Sequence, residues 1–191
     1  LFPLYGMEKT DVRRLAEKHG LVNSHKPDSQ DICFVPDGDY VSFIERYTGY
    51  KPVSGEYVFS DGKRAGEHSG IINYTIGQRK GLGVTFGKPV FVTDKDPLSN
   101  TVTLGDEAEL FHRTLFLRNF NLIIADKLSE PMRVTAKSRY SAKEQSALLY
   151  PAENGIVRIE FDDPVRAPAK GQACVVYDGD IVVGGGVIAR V

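Results

Sequence analysis

The sequence is poor in the residues that build disulfides and metal sites, and it has no long apolar run. Its 191 residues include two cysteines and four histidines. Cys33 and Cys174 are far apart in sequence, and this spacing excludes a disulfide framework or a zinc site, since zinc ligands cluster at short spacing. The histidines are also scattered, so we predict no metal. No apolar stretch approaches the roughly 18 residues that span a bilayer, so we predict no membrane partner.

Neither sign of charge is in clear excess. Lysine and arginine number 24 against 25 acidic residues, a formal net charge of -1. The charges are unevenly placed, however: residues 63–89 carry five basic residues against Glu67, and residues 113–143 carry seven against two acids. Such segments can present basic surface to phosphates, although chance produces similar balances. The start of the chain lacks the layout of a signal peptide, and we expect a cytoplasmic protein.

Two short helices are predicted near the start. Thr10 is a suitable N-cap for the first, and Gly20 is a suitable residue to end it. The second covers residues 40–47, where aromatic and aliphatic residues recur at spacings of three and four before Gly49.

From residue 55 onward the pattern predicts strands. Runs at 56–59 and 64–67 flank a turn at 61–62, and runs at 89–94 and 101–105 flank a second turn. Six further β-rich runs then follow one another with turns and no helical pattern between them: 115–124, 132–138, 145–150, 156–161, 173–177 and 181–190. We predict a mainly β protein with short helices (α+β), in which a small middle domain precedes an antiparallel β-barrel.

The stretch most suggestive of chemistry is residues 28–35 (DSQDICFV), which brings Cys33 to the start of an apolar run. A cysteine is nucleophilic as its thiolate, and neighbouring aspartates raise rather than lower a thiol pKa. The residues alone therefore leave two interpretations open. Cys33 is either a buried structural cysteine or a nucleophile.

Three motifs resemble those of the tRNA-specific 2-thiouridylases. Residues 28–35 are the first, residues 66–83 (GEHSGIINYTIGQRKGLG) are the second and most distinctive, and residues 171–180 (GQACVVYDGD) with 183–188 are the third. The resemblance covers essentially the whole chain. It implies a remnant of the nucleotide-binding domain at 1–35, a middle domain at 36–108 and a C-terminal barrel like the second domain of elongation factor Tu at 109–191.

The resemblance also implies a catalytic role for Cys33. In this family the corresponding cysteine accepts sulfur as a persulfide, and the sulfur passes to C2 of the wobble uridine after ATP has adenylated the oxygen. A second cysteine of the family, which can form a disulfide with the first, belongs to a domain upstream of this sequence. Cys174 reads instead as part of a buried strand. The implied partners are tRNA and a sulfur-donor protein, and we expect a monomer.

The family's ATP-binding loop, a Ser-Gly-Gly-x-Asp-Ser segment, has no counterpart in the sequence. Neither residues 184–186, within a run of valines, nor residues 77–83 form a convincing phosphate loop. We therefore expect this chain to be the C-terminal part of a larger protein, with ATP bound by the upstream domain, and to be inactive by itself.

Candidate RNA contacts come from two places. The family places tRNA contacts at an arginine-tyrosine pair and a glutamine that match Arg139, Tyr140 and Gln172. From the residues alone, Tyr140 is equally consistent with a barrel-core aromatic. Within the glycine-flanked segment we predict that Gln78, Arg79 and Lys80 face RNA or the reactive centre; the alternative is a structural turn with solvated charges.

Two other functions stay open at this stage. The first is a non-catalytic RNA-binding module in which Cys33 is structural. The second is a tRNA methyltransferase, a label sometimes attached to this family, although no glycine-rich turn after an N-terminal strand offers a site for an adenosyl donor.

Overall fold

The computed structural model describes residues 3–26, 35 and 38–190. Cys33, with the polar residues that precede it from position 28, lies outside these ranges. The chain forms two compact units, Leu1–Tyr50 and Lys51–Val191. The domain boundaries proposed after residues 35 and 108 stay predictions.

The first unit contains the two expected helices, α1 (Lys9–Lys18) and α2 (Tyr40–Thr48). The N-cap predicted for α1 was wrong: the cap is Glu8, whose carbonyl accepts hydrogen bonds from the amides of Asp11 and Val12, so that Thr10 lies inside the first turn. Gly20 follows the helix with a φ of 66°, as expected of a glycine stop. The α2 helix is capped by the Asp39 side chain, which accepts from the Ser42 amide at 3.0 Å.

The second unit begins with a four-stranded sheet. Its strands are β1 (Gly55–Phe59), β2 (Arg64–His68), β3 (Phe91–Asp96) and β4 (Thr101–Gly105). Both predicted hairpins are confirmed, because β1 pairs with β2 and β3 pairs with β4, each antiparallel. The hairpins join through a parallel pair, β1 with β4, which gives the order β2-β1-β4-β3.

This sheet packs on the segment that connects β2 to β3. Tyr57 is fully buried on β1 and donates a hydrogen bond to the Leu82 carbonyl at 2.8 Å. A short 3-10 turn, Ile71–Asn73, covers the sheet next to Tyr74. The aliphatic core of this layer comprises Ile71, Leu82, Val90, Val92, Val102 and Leu104.

The six-stranded unit is a closed antiparallel barrel, as the strand pattern predicted. Its order around the barrel is β10-β5-β8-β7-β6-β9. The strands are β5 (Phe111–Leu122), β6 (Met132–Lys137), β7 (Gln145–Leu149), β8 (Ile156–Arg166), β9 (Ala173–Asp178) and β10 (Ile181–Arg190). The protein is thus mainly β with two short helices in the described ranges.

One barrel strand is longer than its sequence suggests. Asp162, Asp163 and Pro164 were predicted to form a turn, but β8 runs through them to Arg166. The β5 to β8 register shifts at this point: His112 is opposite Val165, whereas Thr114 is opposite Glu160. A bulge of this kind accommodates a proline inside a strand, because the unpaired residues need no ladder hydrogen bond.

Three consecutive glycines let β10 approach its neighbours closely. A Cβ built on Gly184 would lie 2.4 Å from the Asn121 carbonyl oxygen, and one on Gly186 would lie 3.0 Å from the Arg118 carbonyl oxygen. Phe120 also lies over Gly184, with a ring carbon 2.9 Å from that Cβ position. The glycines are therefore needed for packing inside a strand, and they do not form a phosphate-binding loop before a helix.

We predict that Gly184→Ala lowers the free energy of unfolding by about 1 to 3 kcal/mol, because the added methyl group must displace the β5 backbone or the Phe120 ring. Denaturant unfolding of the 191-residue chain measures this. Ser146→Ala, at an exposed position on β7, is the control and should change stability by less than about 0.5 kcal/mol. Equal stability of the two variants would contradict the packing argument.

Candidate functional site

The barrel brings three of the predicted RNA contacts to one of its ends. The last paired residue of β6, Lys137, lies opposite Val175 on the neighbouring strand β9. Tyr140 is three residues beyond Lys137, and Gln172 is three residues before Val175. Because β6 and β9 are antiparallel neighbours about 4.8 Å apart, the β6–β7 loop (residues 138–144) and Gln172 project from the same end of the same strand pair.

The side chains of this rim are open to solvent. Tyr140 is fully exposed, at 102% of its reference area, so it is not a barrel-core aromatic. Arg139 and Gln172 are also exposed. An exposed tyrosine next to an exposed arginine offers a stacking face and a cation to an RNA strand.

The β6–β7 loop is held at its base by interactions that the sequence did not reveal. Glu144 accepts a hydrogen bond from the Thr135 hydroxyl at 3.1 Å and pairs with the Lys137 ammonium at 3.4 Å. Ser138 is buried at the start of the loop. The Ala142 amide donates to the Arg139 carbonyl, closing a turn around Tyr140. These contacts orient the loop and leave the Arg139 and Tyr140 side chains free of it.

The basic residues of the second unit fall into two groups. Most form ion pairs with carboxylates of the chain, whereas Arg79, Lys80, Arg139 and Lys143 form none with any described residue. An unpaired exposed cation keeps its full charge for an external anion, and a paired one has part of that charge offset. The paired residues are Lys63, Arg64, Lys88, Arg133, Lys137, Arg158, Arg166 and Lys170.

The second predicted site, the glycine-flanked loop (residues 77–83), lies beside β3. The Gly77 amide donates to the Val92 carbonyl at 2.8 Å, and the Val92 amide donates to the Gln78 carbonyl at 2.9 Å. Arg79 and Lys80 are exposed, whereas Gln78 is half-buried. Gly77, Gly81 and Gly83 all have positive φ, which glycine adopts at little cost.

A buried polar cluster supports the chain just before this loop. His68 is 2% exposed; its Nδ1 accepts from the Gly70 amide, and its Nε2 lies 3.1 Å from the Asn100 carbonyl oxygen. The ring of Tyr74 packs edge-on against the rings of His68 and Tyr57. Lys95 donates to the Tyr74 carbonyl at 2.7 Å, and burial lowers the pKa of its ammonium group. The motif at 66–83 therefore contains an internal scaffold as well as exposed cations.

The two candidate surfaces are joined by the connection between β8 and β9. Ala167 packs with Phe91 and Leu110, and its amide donates to the Leu110 carbonyl at 2.7 Å. A Cβ on Gly77 would lie 3.1 Å from the Ala167 Cβ. Gln172 is five residues further along, and five residues span at most about 18 Å. One RNA molecule can therefore reach both surfaces.

Ion pairs reinforce this junction between the four-stranded sheet and the barrel. Lys170 pairs with Asp94 at 2.8 Å, and Arg166 pairs with Glu107 at 3.4 Å. Glu107 belongs to a 3-10 turn, Glu107–Leu110, which occupies the position where a linker was predicted. The turn is closed by a capping box in which the Glu109 side chain accepts from the Asp106 amide.

The described cysteine has none of the properties of a nucleophile. Cys174 lies on β9 in the barrel core, is fully buried and is a free thiol. Burial raises the pKa of its thiol to about 12. The prediction of a buried strand residue is confirmed. Cys33, and with it the disulfide implied by the resemblance, lies outside the described ranges.

Over the residues that the structure describes, no group of three or more His, Cys, Asp or Glu side chains is arranged to hold a metal ion. Neither helix in the described part of the chain has the length and apolar character needed to cross a membrane.

Comparisons with known proteins assign each part of the chain. Residues 1–37 match the model of a tRNA methyl transferase HUP domain, residues 41–106 that of a tRNA methyl transferase PRC-barrel domain, and residues 112–188 that of an aminomethyltransferase beta-barrel domain. The models carry a methyltransferase label, but the similar curated proteins have a different name.

A tRNA-specific 2-thiouridylase MnmA of Acetivibrio thermocellus is 53% identical over 188 residues, which are 98% of this chain and 52% of that protein. Its counterpart in Clostridioides difficile is 47% identical over 190 residues, 100% of this chain and 53% of the relative. The chain thus spans about half the length of the curated relatives that it matches. Together with the three consecutive domain matches, these similarities show that the chain belongs to the family of tRNA-specific 2-thiouridylases.

Proposed function

We propose that this chain supplies the tRNA-binding surface of an enzyme that replaces the C2 oxygen of a wobble uridine by sulfur. The observation that carries the proposal is the convergence of Arg139, Tyr140 and Gln172 at one end of the barrel. Family membership supports the same role, since the relatives are named as tRNA-specific. Arg79 and Lys80 provide a second contact area.

The proposed contacts follow from the chemistry of the side chains. The Arg139 guanidinium binds a phosphate or a splayed base, and the Tyr140 ring stacks on a base. The Gln172 amide can both donate and accept a hydrogen bond. Arg79 and Lys80 bind the backbone at the second area as unpaired charges.

We further propose that Cys33 carries the sulfur. Once the C2 oxygen bears a good leaving group, the terminal sulfur of a Cys33 persulfide forms the new bond to C2, and the leaving group departs with the former oxygen. A second cysteine thiolate then attacks the Cys33 sulfur, which releases the thiouridine and leaves a disulfide for an external thiol to reduce. Cys174 is unsuited to either role because it is buried and has a raised thiol pKa.

The other components of the proposal rest on the family. ATP supplies the activation of the C2 oxygen, and we assign its binding to no described residue, because the glycine run 184–186 lies inside β10. A sulfur-donor protein is expected to load Cys33. We propose a cytoplasmic enzyme that acts as a monomer.

We predict that Arg139→Ala weakens binding of a tRNA transcript with a wobble uridine by about 1 to 3 kcal/mol, with a loss that shrinks as salt rises, because part of it is counterion release. Tyr140→Ala should cost a similar amount, about 1 to 3 kcal/mol, with weaker salt dependence, because stacking releases few ions. Binding isotherms of the 191-residue chain at several salt concentrations measure both effects.

The matched control is Arg133→Ala, because Arg133 is an exposed arginine on the same strand, β6, that is already paired with Asp162. It should leave tRNA affinity nearly unchanged. Melting temperatures of all three variants separate loss of contacts from unfolding. If Arg139→Ala and Tyr140→Ala bind tRNA as well as the unsubstituted chain does, the RNA surface lies elsewhere.

A second prediction concerns the thiols, in a protein of the relatives' length that carries this sequence. Cys33→Ser should abolish formation of 2-thiouridine, because serine cannot carry a persulfide. Cys174→Ser should retain it and lose about 1 to 3 kcal/mol of stability, because a hydroxyl replaces a buried thiol in an apolar core. Mass spectrometry of digested tRNA measures the product.

Mass spectrometry of the protein should also find a persulfide on Cys33 after incubation with a cysteine desulfurase and cysteine. Equal loss of product in the two variants would show that the chemistry is assigned to the wrong thiol. A Cys33→Ser protein with normal activity would favour a structural role for Cys33 and an RNA-binding role for this chain.

A further inference from the structure

Gln78 is the one member of the Gln78-Arg79-Lys80 segment whose polar atoms are used within the protein. Its amide nitrogen donates to the Thr75 carbonyl at 2.9 Å, and its carbonyl accepts from Val92 at 2.9 Å. Its side-chain Oε1 accepts from the Thr75 amide at 3.0 Å, and its Nε2 donates to the Lys80 carbonyl at 3.0 Å. The side chain therefore links the chain before Gln78 to the chain after it.

The surrounding backbone is built to receive this amide group. A Cβ on Gly81 would lie 3.8 Å from the Gln78 Nε2, with no other atom within 4 Å. Gly81 has a φ of 74°, which turns the chain back so that the Lys80 carbonyl faces the amide. Gln78 is half-buried, whereas Arg79 and Lys80 are exposed.

We infer that Gln78 is a positioning residue: it does not contact RNA but braces residues 75–80 so that Arg79 and Lys80 are held out towards phosphates. The inference rests on the proposed tRNA-binding role and changes the part that Gln78 plays in it. Its energetic basis is entropic, because a loop held by two side-chain hydrogen bonds has less freedom to lose when its cations bind the RNA backbone.

Salt dependence distinguishes bracing from contact. A neutral amide that touches RNA releases no condensed counterion, so its removal leaves the slope of log affinity against log salt unchanged. Removal of a brace that positions two cations lowers that slope, by up to about 1 for each phosphate contact that is lost. Gln78→Ala is therefore expected to lower the slope although it removes no charge.

The test is a double-mutant cycle on the 191-residue chain with the wobble-uridine tRNA transcript as the probe. Gln78→Ala alone is expected to weaken binding and to lower the salt slope in the same direction as Arg79→Ala/Lys80→Ala. Added to the Arg79→Ala/Lys80→Ala background, Gln78→Ala is expected to weaken binding by less than about 2-fold more, because the groups that it positions are gone. Additive losses with an unchanged slope would overturn the inference and make Gln78 a direct contact.

Asn73→Ala is the matched control. The Asn73 amide also bonds within its own turn, to the carbonyl and hydroxyl oxygens of Ser69 at 3.1 Å each, but it precedes no cation pair. It should leave the salt slope unchanged. If Asn73→Ala lowers the slope as much as Gln78→Ala does, the effect is general loosening of the segment, and the inference fails.

Amide hydrogen exchange tests the brace without RNA. In Gln78→Ala the Thr75 amide should exchange faster, because its acceptor is lost, while the Gly77 amide should stay protected by the Val92 carbonyl. Unchanged exchange at Thr75 would refute the brace. If the unsubstituted chain does not bind tRNA at all, the proposed function fails, and the exchange measurement alone decides whether Gln78 closes the loop.

Discussion

The structure of the second unit depends on closure of the six-stranded barrel. Closure requires β10 to pair with β5 on one side and with β9 on the other. Residues 184–186 make this possible, because side chains there would meet the backbones of both neighbours. A closed barrel has no free edge, so every strand end is held in a defined place. The rim that carries Arg139, Tyr140 and Gln172 is a product of that closure.

The four-stranded sheet is attached to the barrel by a small apolar junction rather than by a loose linker. Phe91, Leu110 and Ala167 form its core, and Lys170 and Arg166 pair with acids across it. Ala167 adopts a φ of 52°, uncommon for a residue with a side chain, and this conformation is accompanied by the hydrogen bond to Leu110. The junction therefore orients the glycine-flanked loop relative to the barrel rim.

Features with local causes were predictable from the sequence. Gly20 and Gly49 end helices, and Gly62 turns the first hairpin, because each needs a positive φ within a few residues of an amphipathic pattern. The parallel pairing of β1 with β4 was not predictable, because it joins segments that are distant in sequence. The extension of β8 through Pro164 was missed for a related reason: a bulge depends on the partner strand, and local turn propensity does not report it.

The same distinction applies to the candidate site. The motifs indicated which residues matter, but strand alternation stops at the end of β6 and could not show that Tyr140 points into solvent. The pairing of β6 with β9, a tertiary fact, brings Gln172 beside it. The internal bonds of Gln78 were also hidden, since an exposed and a bracing amide have the same letter in a sequence. Ion pairing could not be read either, because Arg133 and Arg139 differ only in whether a carboxylate is within reach.

The short connection between Ala167 and Gln172 acts as a ruler. Its first residue is fastened to the sheet layer by the hydrogen bond to Leu110, and its last lies at the barrel rim. Inserting or deleting one residue between them would change the reach of the connection by about 3.5 Å. Such a change would alter the distance between two surfaces that are proposed to hold one rigid nucleic acid. This connection should therefore tolerate changes in side chains more readily than changes in length.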